Sequence, residues 1–188
     1  MGAWGPGLYS DDVTEDVRGI YVDKLHRGKN GEQASKEMIA EFEWAWSDED
    51  DAPVFWFAMA DMQWNYGRLQ EEVKKKALYY LNDMKNLQRW EYENLKMSEK
   101  RKQVLNELRK KLNTLQPSEK KVSQYRLYHC QWKVGDMYAY QLEGEYAKER
   151  GLNGKYLLFY KIAESIWWPG HVIPVVYIKL TENNEIPK

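Results

Sequence analysis

The chain has 188 residues, 43% hydrophobic, 14% aromatic and 30% charged, with a mean hydropathy of −0.80. This mixture excludes a disordered chain, which would be poor in aromatics, and fits one domain or two small ones. Net charge is only −1, but residues 1–72 carry 16 acidic against 6 basic side chains, a net of −10, leaving +9 for residues 73–188; the two halves are expected to attract each other.

The first residues, Met1 to Gly7, form a turn-rich segment with Trp4 as a large apolar anchor, expected to plug the N-terminus onto the helices. Ser10, Asp11 and Asp12 start a first helix, with Val13, Val17, Ile20 and Leu25 on one face and Gly28 to Gly31 at its end. A second helix is expected over 32–46, with Ala34, Met38, Phe42 and Ala45 or Trp46 inward. The acidic run Asp48 to Asp51, followed by Pro53, opens a third helix over about 53–66. This helix is apolar nearly all round, which marks it as a buried centre. Gly67 ends it, and a fourth helix over about 69–83 repeats apolar residues at Val73, Ala77, Leu78 and Leu81. Together the third and fourth resemble a single tetratricopeptide-type hairpin, without the further copies that a solenoid needs. A fifth helix starts at Ser98, carries Val104, Leu105, Leu108, Leu112 and Leu115, and stops at Pro117.

From Tyr125 the pattern changes to β. The segments 125–132, 137–142, 156–163 and 172–180 are rich in Tyr, Val, Ile, Leu and Phe and are separated by glycine-containing turns. They predict a small antiparallel barrel or strongly bent sheet, and Pro174 makes the last strand an edge strand or places a bulge there. The expected fold is therefore α+β: a helical domain over 1–117 of about five helices, then a β-barrel domain over 122–188 docked on it.

The glycine-rich start lacks a Lys-Ser or Lys-Thr pair and is followed by Asp11, Asp12 and Asp16, which would repel a phosphate. The 48–51 cluster lacks the ligand alternation of a calcium loop, and helix capping explains it. His26, His129 and His171 form no metal-ligand spacing, and adjacent His129 and Cys130 on a regular strand would point to opposite faces. No metal, cofactor or catalytic residue is assigned, and Cys130 reads as a structural thiol. Asp61, Asn65 and Arg68 share one face of the third helix and its end, so a pocket is conceivable there; the simpler reading is an ion pair from Asp61 to Arg68, Arg18 or Lys24. Lys100, Arg101, Lys102, Arg109, Lys110 and Lys111, with Lys120 and Lys121, spread over a broad arc and read as a solvated face rather than a nucleic-acid stripe. Trp167 and Trp168, followed by His171, are the best candidates for a partner surface, with Tyr138, Tyr140, Tyr160 and Tyr177 available to line a groove.

The start Met1-Gly2-Ala3-Trp4-Gly5, with Ser10-Asp11-Asp12 and the stretch from Phe55 to Leu69, resembles an uncharacterised bacterial family over roughly residues 1–115; the resemblance implies no established activity. The stretches from Trp132 to Ala139 and from His171 to Val176 resemble the SH3-like barrels of some bacterial toxin-immunity proteins, which implies binding of a protein partner. A non-enzymatic interaction protein, immunity-like in role, is the leading expectation. The alternatives are a ligand-binding or enzymatic pocket between the halves and, more weakly, a nucleic-acid-associated factor. No apolar start typical of a secretory signal is present and Pro6 stands where a myristoylation signal needs Ser or Thr, so a cytoplasmic protein is expected.

Overall fold

The computed structural model describes residues 4–83, 87, 90, 95–167 and 170–186. It is an α+β protein with two compact units, Met1–Gln124 and Tyr125–Lys188.

In the first unit, α1 spans Asp12–His26. The extended N-cap Asp11 accepts from the Val13 amide at 2.9 Å, and Asp12 and Glu15 lie where the helix dipole favours negative charge. Val13, Val17, Tyr21 and Leu25 recur every four residues and are buried. Tyr21 was not expected in that stripe; Ile20, which was, is only partly buried. The Tyr21 hydroxyl has no hydrogen-bond partner among the described residues, and burial raises its pKa. Helix α2 (Gly31–Glu41) opens with a full capping box between Asn30 and Gln33. The single helix expected over 32–46 is broken at Phe42, and α3 (Glu43–Trp46) follows. The break carries no Gly or Pro. It accompanies a tertiary fit, with Phe42 stacked on Phe55 at 5.6 Å and the Trp46 indole donating to the Ile39 carbonyl at 2.6 Å.

Helix α4 (Asp51–Asn65) is the centre, with every residue from Ala52 to Gln63 buried. It packs against α1, α3, α5 (Glu71–Asp83) and α6 (Leu95–Leu112). Its first turn is capped from outside by Asp48, whose Oδ1 accepts from the amides of Asp50 and Asp51 at 2.9 and 3.1 Å. Helix α5 buries Val73, Ala77 and Leu81, and α6 buries Leu105, Leu108 and Leu112. Leu115 lies past the end of α6 and is exposed, so it extends no apolar face. Trp4 is 59% exposed and is no plug. The anchor of the N-terminal segment is Arg101 of α6, 3% exposed, which donates to the Gly7 carbonyl at 2.9 Å and lies over the Trp90 ring. Burial pulls its pKa down to about 10, opposed by the charge of Asp11, so it stays cationic at neutral pH.

The second unit has β1 (Met137–Gln141), a short helix α7 (Glu145–Glu149), β2 (Tyr156–Trp167) and β3 (His171–Leu180). The strands form an open antiparallel sheet in the order β1-β2-β3, so among the described residues the expected barrel does not close. The strand expected over 125–132 is absent. The backbone of that segment pairs with the sheet at one bridge, Tyr128 to His171, and Tyr125 packs where a Cβ on Gly170 would sit. β3 is an edge strand, as its Pro174 requires, and the register shifts between Lys161 and Ala163 of β2.

Candidate functional site

Asp61 sits on α4 and is 7% exposed. Its Oδ1 pairs with the Lys111 ammonium of α6 at 2.6 Å, and its Oδ2 accepts from the Tyr9 hydroxyl at 2.7 Å and from the Asn65 amide at 2.8 Å. Lys111 also donates to Asn65 Oδ1 at 2.8 Å and lies 4.7 Å from the centre of the Trp64 ring. Burial, then the charge of Asp61 and the hydrogen bond to it, raise the Tyr9 pKa, so the phenol keeps its proton. Each carboxylate oxygen therefore has a donor, and the group ties the N-terminal segment to α4 and α6. Arg68 does not join Asp61 and Asn65. It pairs with Glu119 at 2.9 Å and donates to the Lys120 carbonyl at 3.2 Å. Neither Arg18 nor Lys24 reaches Asp61: Arg18 pairs with Glu15, and Lys24 with Glu37 and Glu41. The true partner, Lys111, lay within the basic run read as a solvated face. Arg101 and Arg109 of that run are also engaged, Arg109 with the Leu81 carbonyl.

A second cluster was not visible in the sequence. The fully buried Lys161 ammonium of β2 donates to Glu164 Oε1 at 2.6 Å, to the Trp132 carbonyl and to Cys130 Sγ at 3.4 Å. His129 Nδ1 lies 3.1 Å from Glu164 Oε2. In a regular strand, residues three apart point to opposite faces. The extra residue Ile162 at the register shift puts Lys161 and Glu164 on the same face, where they meet. The hydrogen bond to Glu164 raises the Lys161 pKa, and the bonds from Lys161 and His129 lower that of Glu164. Both groups are thus held charged. A lysine so held is no neutral nucleophile, and a carboxylate so held is a weak base.

Glu164 offers a test by titration. A lowered carboxylate pKa contributes stability that is present above the ordinary glutamate range and lost as pH falls through the lowered value. The Glu164 carboxyl carbon, followed by NMR, is expected to titrate below the ordinary range, and in Lys161→Met to move back up toward it. An ordinary midpoint in the unaltered protein would remove the ion pair from the account.

The partner-surface candidates are split by register. Tyr138 pairs with Phe159 and Tyr140 with Leu157, so both tyrosines lie on the face that carries Lys161. Tyr138 meets the Trp132 ring edge-on at 4.8 Å. Tyr160 pairs with Tyr177, Ala163 with Val175, Ser165 with Ile173 and Trp167 with His171, all on the other face. No single groove of this sheet holds both sets. On the second face Met137, Tyr160, Ile173 and Val175 are exposed, as are Tyr177 at 61% and Trp167 at 62%. Trp168 lies outside the described residues.

No helix of the described residues is long and apolar enough to cross a membrane, and none of their His, Cys, Asp and Glu side chains gather in threes as a metal site would require. No protein-family model, curated protein or solved structure matches the chain.

Proposed function

We propose that the second unit is a protein-recognition module, and that its open sheet face, with Tyr160, Tyr177, Ile173, Val175 and Trp167, seats a partner protein. The supporting observation is that one face of a three-stranded sheet exposes a continuous apolar and aromatic surface across β2 and β3. Soluble domains rarely leave such a surface uncovered, and Tyr and Trp are the residues that anchor protein interfaces. On the opposite face the 129–132 segment engages Lys161, Glu164 and Tyr138, although Tyr138, Tyr140 and Ile178 remain exposed there. The sequence resemblance of 132–139 and 171–176 to SH3-like immunity proteins, whose closed barrel this open sheet does not reproduce, implies the same kind of role, a stoichiometric binder rather than a catalyst. The protonation states of Lys161 and Glu164 fit that reading, since neither is poised for proton transfer.

The test begins with crosslinking in the native cells and continues with binding of the purified partner to purified protein. Tyr177→Glu is expected to weaken that binding by about thirtyfold or more, the scale of a central aromatic anchor. Tyr140→Glu, on the other face, is expected to leave it within about twofold, since changes outside the anchors are nearly neutral. Equal losses from both, or none from Tyr177→Glu, would overturn the assignment.

A further inference from the structure

We infer that the first unit carries a binding site for a quaternary ammonium group, in a cavity of about 210 Å³ between the end of α3, the start of α4 and the end of α5. It is lined by three aromatic residues, Trp46, Tyr79 and Tyr80, and by three acidic ones, Asp48, Glu49 and Asp83. No basic side chain lines it among the described residues. Aromatic rings present a negative π face that attracts a cation, most strongly one that is weakly hydrated. Carboxylates around such rings supply net charge without requiring a hydrogen bond from the ligand.

The aromatic walls are held in place. Tyr79 and Tyr80 meet edge to face with ring centres 5.1 Å apart, so adjacent residues of α5 offer two nearly perpendicular surfaces. The Trp46 indole N–H is already bonded to the Ile39 carbonyl, so the ring brings π surface rather than a donor. Asp48 is held by the hydrogen bonds its Oδ1 accepts from the amides of Asp50 and Asp51, at the start of α4. A bare metal ion fits poorly, because these carboxylates do not gather as a three-ligand cluster. The volume and the aromatic walls suit a quaternary ammonium, which has no N–H to donate and is desolvated cheaply. This site is independent of the sheet face of the second unit.

Calorimetric titration of the full chain with tetramethylammonium and choline is the test, with 3,3-dimethylbutan-1-ol as the uncharged isostere of choline and n-butylammonium as the primary amine. Both quaternary ions are expected to bind saturably, more tightly than butylammonium, while the alcohol shows no saturation. Tyr79→Ala, at an exposed position, is expected to weaken choline by about three- to thirtyfold, the range of a cation–π contact. Glu49→Gln is expected to weaken it by about threefold, as loss of an exposed charge should. Far-UV circular dichroism shows that the variants are folded, and Tyr140→Ala in the second unit serves as a control expected to bind normally. Absence of saturation by either quaternary ion, equal binding of the alcohol, tighter binding of butylammonium, or an unchanged affinity in Tyr79→Ala would each overturn the inference.

Discussion

Replacing Gly67 by alanine is expected to destabilise the first unit by about 3–4 kcal/mol, as backbone strain and a backbone clash coincide there. Gly67 ends α4 with a φ of +64°, a conformation that costs an L-residue about 1–2 kcal/mol. A Cβ at that position would stand 2.5 Å from the Pro117 carbonyl oxygen and 2.6 Å from that of Ser118. These are backbone atoms and cannot swing aside as a side chain can. The 116–120 segment is also tied to the same turn. The Gln116 side chain accepts from the Leu69 amide at 2.7 Å, the Lys120 amide donates to the Tyr66 carbonyl at 3.0 Å, and Arg68 pairs with Glu119. A shift that relieves the clash breaks some of these bonds. Gly151 separates the two causes, since its φ is +63° and nothing lies within 4 Å of its would-be Cβ. Gly151→Ala should therefore cost only the conformational part, about 1–2 kcal/mol. Native-state hydrogen exchange reads the first loss at the α4 amides and the second at the β2 amides. Equal losses at the two sites would show that the contact with Pro117 and Ser118 contributes nothing.

Much of the helical half was legible because its cause is local. Val13, Val17 and Leu25, or Val73, Ala77 and Leu81, repeat at helical spacing, and a helix apolar on all sides, as at 52–63, has to be surrounded. Strands β1 to β3 were legible for the same reason, with turns marked by glycine. What failed depends on distant parts of the chain. Segment 125–132 has the composition of a strand, yet its groups are engaged otherwise: Trp132 accepts from Lys161, and His129 meets Glu164. Composition reports that a strand is permitted and says nothing of whether a neighbour pairs with it. The register shift at Ile162 decides that Lys161 and Glu164 meet, and no residue type at 162 marks it. The same shift keeps Trp167 on the face of Tyr160 and Tyr177, apart from Tyr138 and Tyr140. In the basic run, Lys110 and Lys111 are neighbours of one type, and only the position of Asp61, 50 residues earlier, separates a paired, half-buried cation from its exposed neighbour. Tyr21 was missed because its hydroxyl argues for a polar site, whereas its ring fills the core.

Lys111→Met is expected to destabilise the first unit by about 3 kcal/mol at neutral pH, the scale of a buried ion pair broken on one side. The methionine keeps most of the side-chain volume but removes the ammonium that pairs with Asp61 and lies over the Trp64 ring, so the loss is electrostatic. Asp61 Oδ1 and Asn65 Oδ1 both lose their donor in the same step, while Tyr9 and Asn65 still hold Oδ2. A carboxylate that stays buried with one oxygen unpaired is the costly species. That argument has a consequence opposite to simple addition of losses. Asp61→Asn in the Lys111→Met background removes the stranded charge, so the double variant should be more stable than Lys111→Met alone, by about 1–2 kcal/mol. Urea unfolding of the four proteins in the cycle measures this coupling. If the double variant is less stable than Lys111→Met, the carboxylate is not stranded, and the pair between α4 and α6 adds only the small attraction of an exposed contact. If the coupling is as large as expected, Asp61 is a clamp for the helical unit, and the search for its ligand chemistry belongs at the aromatic cavity beside α5 instead.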